Sequence, residues 1–166
     1  MRHAGLILCA LAFAAAGVWR AVTLYRRAKL ISALYLLAAY IREQVVRYAK
    51  EQKEICQRFQ NERLEKAGFL PLLRAESEKR PWGALDRSFT RFFETTDPGK
   101  EVKDACLAFA ASFGMTGMAE QAASCETFDR CMREIARREE KEIWNRIRLS
   151  VGTGFAAGCG FMILFW

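Results

Sequence analysis

A chain of 166 residues is long enough for one compact domain and too short for two of ordinary size. Its formal net charge is +7, but basic residues are interleaved with acids and no nucleic-acid-binding motif is present, which argues against a nucleic-acid partner. A single histidine and six cysteines without CxxC spacing argue against a zinc site. We therefore expect no metal, and we expect reduced thiols rather than a disulfide framework.

The N-terminal segment, residues 1–25, is predicted to form a transmembrane helix. No charged residue occurs between Ala4 and Trp19. This stretch is shorter than the roughly 20 apolar residues that a helix needs to cross a bilayer. The span becomes long enough if the guanidinium of Arg20 reaches the membrane interface while its methylene groups stay in the apolar region.

A secretory signal peptide is the alternative for this segment. Arg2 gives it a basic start, and Ala14–Ala16 resembles a cleavage site. The mature protein would then be extracytoplasmic, helical and anchored at its C-terminus. Cleavage would also place the basic residues 26–29 outside the cell, against the positive-inside rule, so we favour the uncleaved helix.

The central residues, 26–148, are predicted to form a cytosolic helical bundle, because helical periodicity is the only regular pattern in them. From Leu30 to Phe59, apolar residues recur at steps of three, four or seven, which places them on one helix face. No proline interrupts this run, and Gly68 is suited to end it. We expect one long helix continuing from the membrane. Its buried face would consist of Leu30, Leu34, Leu37, Ile41, Val45, Tyr48, Ile55 and Phe59.

Shorter helices are expected in the middle of the chain. The first covers Leu70–Lys79, and a second belongs to an aromatic-rich segment that begins with Trp82. Asp97 is a suitable N-cap and Pro98 a suitable first-turn residue for the next helix. That helix is predicted to end near residues 114–117, where two glycines occur.

A final helix is predicted to begin near Met118 and to pass through a charged stretch, residues 137–142, into a second transmembrane helix at residues 149–166. Its cytosolic part has an apolar stripe made of Met118, Ala122, Cys125, Phe128, Met132 and Ile135. Gly154 and Gly158 form a GxxxG pattern, which lets two helix backbones approach closely in lipid. The pattern fits packing within the chain and self-association between chains equally well.

Charges beside the two apolar ends predict their orientation. Both ends have their basic flank on the side of the central domain: Arg20, Arg26, Arg27 and Lys29 after the first, and Arg137, Arg138, Arg146 and Arg148 before the second. Because basic flanks remain in the cytoplasm, we expect a cytoplasmic centre and external termini. Aromatic residues expected at the membrane interfaces are Trp19, Tyr25, Trp144 and Trp166.

The sequence offers no set of residues for catalysis. An active site needs convergent groups, such as a nucleophile with its base or paired carboxylates. The single histidine, His3, lies outside the central domain, and there is no glycine-rich phosphate-binding loop. We therefore expect a protein that is not an enzyme and has no cofactor, and that acts as a component of an assembly.

The arrangement resembles the stage III sporulation protein AB family of endospore-forming bacteria. Similarities include the overall length and one membrane helix at each end of a helical domain. Trp82 stands where the family opens a mid-chain helix with tryptophan. The best match is the turn Phe113-Gly114 followed by Gln121, seven residues after the glycine. The resemblance covers nearly the whole chain, which departs from it at Gly117, where the family commonly has an acid.

This resemblance implies a fold, a location and partners. The domain is expected to look like the helical cytoplasmic domain of type II secretion platform proteins. The protein would lie in the mother-cell membrane around the forespore, within the channel complex. Its partners would be the other stage III sporulation AA-to-AH proteins, including a cytosolic ATPase. For Gly114 we expect a helix C-cap turn whose carbonyls accept from Gln121, the alternative being a turn that contacts a partner.

Overall fold

A computed structural model describes the backbone of residues 2–48, 50–115 and 117–165, and the side chains of 11–48, 50–115, 117–160 and Ile163. These residues form helices and no strand, which confirms the predicted all-α class for the described part of the chain. The helices are α1 Arg2–Tyr48, α2 Gln52–Arg58, α3 Glu62–Lys66, α4 Phe69–Lys79, α5 Ala84–Thr95, α6 Lys100–Ser112 and α7 Met118–Phe165.

The chain divides into two compact units. The terminal unit consists of Met1–Ala28 and Arg138–Trp166, and the central unit consists of Lys29–Arg137. Helices α1 and α7 contribute residues to both units, whereas α2 to α6 belong to the central unit alone. The divisions therefore fall within the two long helices.

Both segments that the sequence predicts to cross a membrane are helical, since residues 2–25 belong to α1 and residues 149–165 to α7. Within the described residues, no helix has a stretch that is both long enough and apolar enough to cross a membrane. The side chains of His3, Cys9 and Trp166 lie outside the described part of the chain.

Helix α1 ends at Tyr48, earlier than the apolar pattern predicts. The pattern from Leu30 to Phe59 indicates one continuous helix, but the chain leaves the helical path between α1 and α2. The Lys50 N–H donates to the Gln44 carbonyl at 3.2 Å, which closes the end of α1. Ile55 follows Tyr48 by about two helical turns. The apolar pattern therefore continues across the break and does not reveal it.

Two other helix boundaries differ from the prediction. Gly68, expected to end a long helix, instead precedes α4 with a φ of 85°. Asp97, expected to be an N-cap, lies in front of α6, which begins at Lys100. Its Oδ1 accepts the Gly99 N–H at 2.9 Å, so Asp97 stabilises a local turn before the helix.

An apolar core fills the central unit, and aromatic rings occupy its middle. The ring of Phe89 lies 4.9 Å from that of Phe69 and 5.4 Å from that of Phe93. Phe109 of α6 stacks on Phe128 of α7 at 4.2 Å. The predicted stripes supply much of the remaining core, since these members are buried: Leu34, Leu37, Ile41, Val45, Ile55, Phe59, Cys125, Phe128, Met132 and Ile135.

A buried carboxylate connects α1 to α7 in the central unit. Asp129 of α7 is only 2% exposed. Its Oδ2 accepts from Arg42 Nη1 of α1 at 3.1 Å and from Arg133 Nη2 of α7 at 2.7 Å. Because a buried charge is costly without a counter-charge, these two guanidiniums stabilise the buried Asp129 carboxylate.

Core cysteines are predicted to be unreactive in the folded protein. None of the described cysteines forms a disulfide. Burial raises the pKa of Cys56 to about 12 and the pKa of Cys125 to about 11, and it raises the pKa of Cys106 as well. Because the thiolate is the reactive form, we expect iodoacetamide at about pH 8 to modify native Cys56 roughly a thousandfold more slowly than the denatured chain.

Mass spectrometry of alkylated peptides measures this difference, with the half-buried Cys131 as an internal comparison. Rapid native modification of Cys56 would contradict the burial described here. The result also matters for topology experiments, because unlabelled Cys56 in intact cells would report burial rather than the side of the membrane.

Candidate partner-binding groove

A groove of about 510 Å³ in the central unit brings together four distant segments of the chain. They are the end of α1, the segment entering α2, the loop before α5, and the region from the α6–α7 loop to the start of α7. Trp82, Gly114 and Gln121, which the sequence singles out, all line this groove. Its other lining residues are Val45, Lys50, Glu51, Gln52, Lys53, Pro81 and Met118.

Trp82 presents a large apolar surface at the groove. It is 68% exposed and lies in the loop between α4 and α5. Arg87 fixes the backbone of this loop: its Nη1 donates to the Trp82 carbonyl at 2.9 Å and its Nη2 to the Arg80 carbonyl at 2.6 Å. An exposed tryptophan on an anchored loop is typical of residues that dominate protein–protein binding energy.

Glu76 of α4 holds Arg87 in turn. The Nε of Arg87 donates to Glu76 Oε2 at 2.9 Å, and Nη1 of Arg91 donates to Oε1 at 2.6 Å. The hydrogen bond from Arg87 holds the pKa of the Glu76 carboxyl below its ordinary value, so this group stays ionised at neutral pH. The loop carrying Trp82 is thus connected by charged hydrogen bonds to both α4 and α5.

Gly114 has the left-handed backbone that the sequence predicts after α6, with a φ of 84°. A Cβ atom at this position would lie 2.6 Å from Gln52 Oε1 and 3.6 Å from the Trp82 ring. Glycine is therefore favoured for two reasons, since a side chain would strain the backbone and would also displace Gln52.

The carboxamide of Gln52 is buried without a partner. Neither Oε1 nor Nε2 has a hydrogen bond in the described part of the protein. Burying a polar group in this state costs about 1–3 kcal/mol, and native proteins contain few such groups. An unpaired amide beside Gly114 is therefore consistent with a binding role for the groove.

Gln121 does not form the expected hydrogen bond to the turn at Gly114. Its backbone N–H donates to the Gly117 carbonyl at 2.9 Å, at the start of α7. Its side chain lines the groove and makes no hydrogen bond to the described residues. Met118, expected in the core, is 67% exposed because it is the first residue of α7, and its flexible thioether adds apolar surface to the groove.

The other two predicted residues, Gly154 and Gly158, lie in the terminal unit, and both are at least half-buried. A Cβ on Gly154 would lie 2.9 Å from the Phe13 carbonyl oxygen and 3.1 Å from the Gly17 Cα. A Cβ on Gly17 would lie 2.9 Å from the Ser150 carbonyl oxygen. Helices α1 and α7 are thus antiparallel and in backbone contact here, so Gly154 packs within the chain.

Among the described residues, no group of three or more His, Cys, Asp and Glu side chains is placed to hold a metal ion. Comparison with known proteins found no family model, no curated protein and no solved structure that matches this chain.

Three residues of this region were not identifiable from the sequence. Gln52 follows the break after α1, which the apolar periodicity conceals. Arg87 and Glu76 are ordinary charged residues of two different helices, and only the packing of α4 against α5 brings them together. No spacing rule within a single helix could have paired them.

Proposed function

We propose that this protein is a non-enzymatic, membrane-anchored scaffold of a secretion-like channel complex required for endospore formation, and that its central unit binds a protein partner in the groove. The observation that carries this proposal is the convergence of Trp82, Gly114 and Gln121 on one groove. These are the residues through which the sequence resembles the stage III sporulation protein AB family. A shared role in binding the partner would explain why all three residues occur together at this groove.

The chemistry of the groove favours a protein partner. Trp82 and Met118 offer exposed apolar surface of the kind that is enriched in protein interfaces. Lys53 adds an exposed cation to this surface. Among the lining residues, Glu51 supplies the one carboxylate and there is no histidine or cysteine, so we favour binding over catalysis.

The terminal unit supports the membrane-anchored part of the proposal. Close backbone contact at glycines is typical of helix pairs in lipid. Large apolar side chains are also exposed in this unit: Leu11, Phe13, Val18, Trp19, Val22, Leu149, Val151, Phe155 and Ile163. Because residues 13–17 pack against α7, retention of the first segment is favoured over its removal as a signal peptide.

We place the helix pair of the terminal unit in the mother-cell membrane around the forespore, with the central unit in the cytoplasm. The other stage III sporulation AA-to-AH proteins, including their ATPase, would then be available to the groove. This placement rests on the basic flanks of both apolar segments and on the family resemblance.

Replacing Trp82 with alanine in an endospore-forming host tests the groove. We expect heat-resistant spore yield to fall about tenfold or more while vegetative growth stays normal. The reason is that tryptophan anchors commonly contribute about 2 kcal/mol or more to the binding free energy. Leu36→Ala is the matched control, since Leu36 is a large exposed apolar residue of the same unit that does not line the groove. Immunoblots verify equal protein levels.

Two outcomes would contradict different parts of the proposal. A normal spore yield after deletion of the gene would refute the role in sporulation. A defective deletion strain together with a fully functional Trp82→Ala strain would refute the groove as the partner-binding surface.

A further inference from the structure

A second groove, of about 370 Å³, lies in the terminal unit beside the contact between α1 and α7. Arg20 of α1 and Ser150 and Thr153 of α7 supply its side-chain polar groups. The Thr153 hydroxyl donates to the Leu149 carbonyl, whereas the Ser150 hydroxyl makes no hydrogen bond to the described residues. The groove therefore contains a guanidinium and a hydroxyl that can donate to a ligand.

Several cations of the terminal unit lack a carboxylate partner. Arg146 pairs with Glu139 at 3.3 Å. In contrast, Arg20, Arg26 and Arg148 make no ion pair with any residue that the structure describes. This leaves an uncompensated positive charge on the helix pair, which an anionic ligand would neutralise.

Two exposed tryptophans of the terminal unit lie on either side of this positive charge along the helix pair. Trp19 is 78% exposed and Trp144 is 63% exposed. Counting 1.5 Å per residue along both antiparallel helices from the contact of Gly17 with Gly154 places these two residues about 12 Å apart along the pair. Arg20 and Arg148 fall between them. Tryptophan concentrates at membrane interfaces, and the headgroup layer on one side of a bilayer is roughly 5–8 Å thick.

We infer that this groove binds the phosphate of an anionic phospholipid, with Arg20 as its charged contact and the Ser150 hydroxyl as a second donor. Arg148, on the neighbouring helix, adds to the attraction. Arginine forms strong charge-assisted hydrogen bonds with phosphate oxygens. A lipid fits better than a free anion because Phe13 and Leu149 also line the groove and offer apolar surface to an acyl chain.

This inference rests on the proposed membrane insertion of α1 and α7. The full-length protein is reconstituted into nanodiscs that contain phosphatidylcholine and phosphatidylglycerol, and the lipids retained after mild detergent extraction are quantified. We expect the wild-type protein to retain phosphatidylglycerol about fivefold in excess over its share of the nanodisc lipid. Arg20→Gln combined with Arg148→Gln should abolish this enrichment.

Arg130→Gln is the matched control, because Arg130 is an exposed arginine of α7 in the central unit. It should retain the full enrichment, and circular dichroism should show equal helix content in all variants. Excess inorganic phosphate should not displace the lipid, since a free anion lacks the apolar contacts. Displacement would overturn the assignment to a lipid.

The remaining outcomes separate this inference from the proposed function. Incorporation without any preference for phosphatidylglycerol, or an equal loss of preference in Arg130→Gln, would overturn the lipid site and leave membrane anchoring intact. Failure to incorporate into these nanodiscs would overturn the lipid site and membrane anchoring together. The sporulation test on Trp82 is independent of all these results.

Discussion

Replacing Phe89 with alanine is expected to lower the free energy of unfolding of the central unit by about 4 kcal/mol. Phe89 is completely buried, and its ring lies between those of Phe69 and Phe93, at 4.9 and 5.4 Å. Truncation removes the transfer free energy of the ring and leaves a cavity among rigid aromatic neighbours. Since domains are stable by only about 5–15 kcal/mol, this one change removes a large share of the total.

Chemical denaturation of the full-length protein in mild detergent, followed by circular dichroism, measures this effect. Leu36→Ala is the control, and it should cost less than about 1 kcal/mol because Leu36 is half exposed. Similar losses for the two variants would show that Phe89 does not occupy the centre of the core.

Two glycines of α7 are expected to respond in opposite ways to alanine. A Cβ on Gly154 would lie 2.9 Å from the Phe13 carbonyl oxygen, and this backbone atom cannot move without separating the two helices. We expect Gly154→Ala to destabilise the terminal unit by about 1–3 kcal/mol. A Cβ on Gly152 would meet no atom within 4 Å, so Gly152→Ala should be neutral or stabilise the helix by up to about 1 kcal/mol.

Thermal unfolding in detergent distinguishes the two variants, and the molar mass of the protein in solution tests the alternative of packing between chains. Contact within the chain predicts that Gly154→Ala lowers the melting temperature and leaves the oligomeric mass unchanged. A smaller oligomeric mass with an unchanged melting temperature would contradict the contact between Gly17 and Gly154.

Local periodicity made much of the fold predictable. The stripe from Leu34 to Val45 and the stripe from Cys125 to Ile135 are buried as predicted, because side chains three and four residues apart share one helix face. The positive φ of Gly114 was predictable for a similar reason, since helices commonly end at a glycine in this conformation.

Features that depend on contacts between helices were harder to predict. The end of α1 at Tyr48 is concealed by a spacing of two full turns. The Arg87–Glu76 pair that fixes the Trp82 loop exists only because α4 and α5 pack together. Asp129 is an intermediate case: it lies one turn after Cys125 on the apolar stripe of α7, and an acid at such a position indicates a buried counter-charge.

The ion pairs of Asp129 also have a consequence for the order of folding. Its bond to Arg133 spans one helical turn and can form as soon as α7 does, whereas its bond to Arg42 joins two distant parts of the sequence. Contacts of such large sequence separation form late, because the intervening chain must first be ordered. During synthesis, α1 is made long before α7, so the part of α1 that pairs with α7 through Arg42 lacks that partner until the last helix forms. Completion of the core therefore waits until α7 has been made.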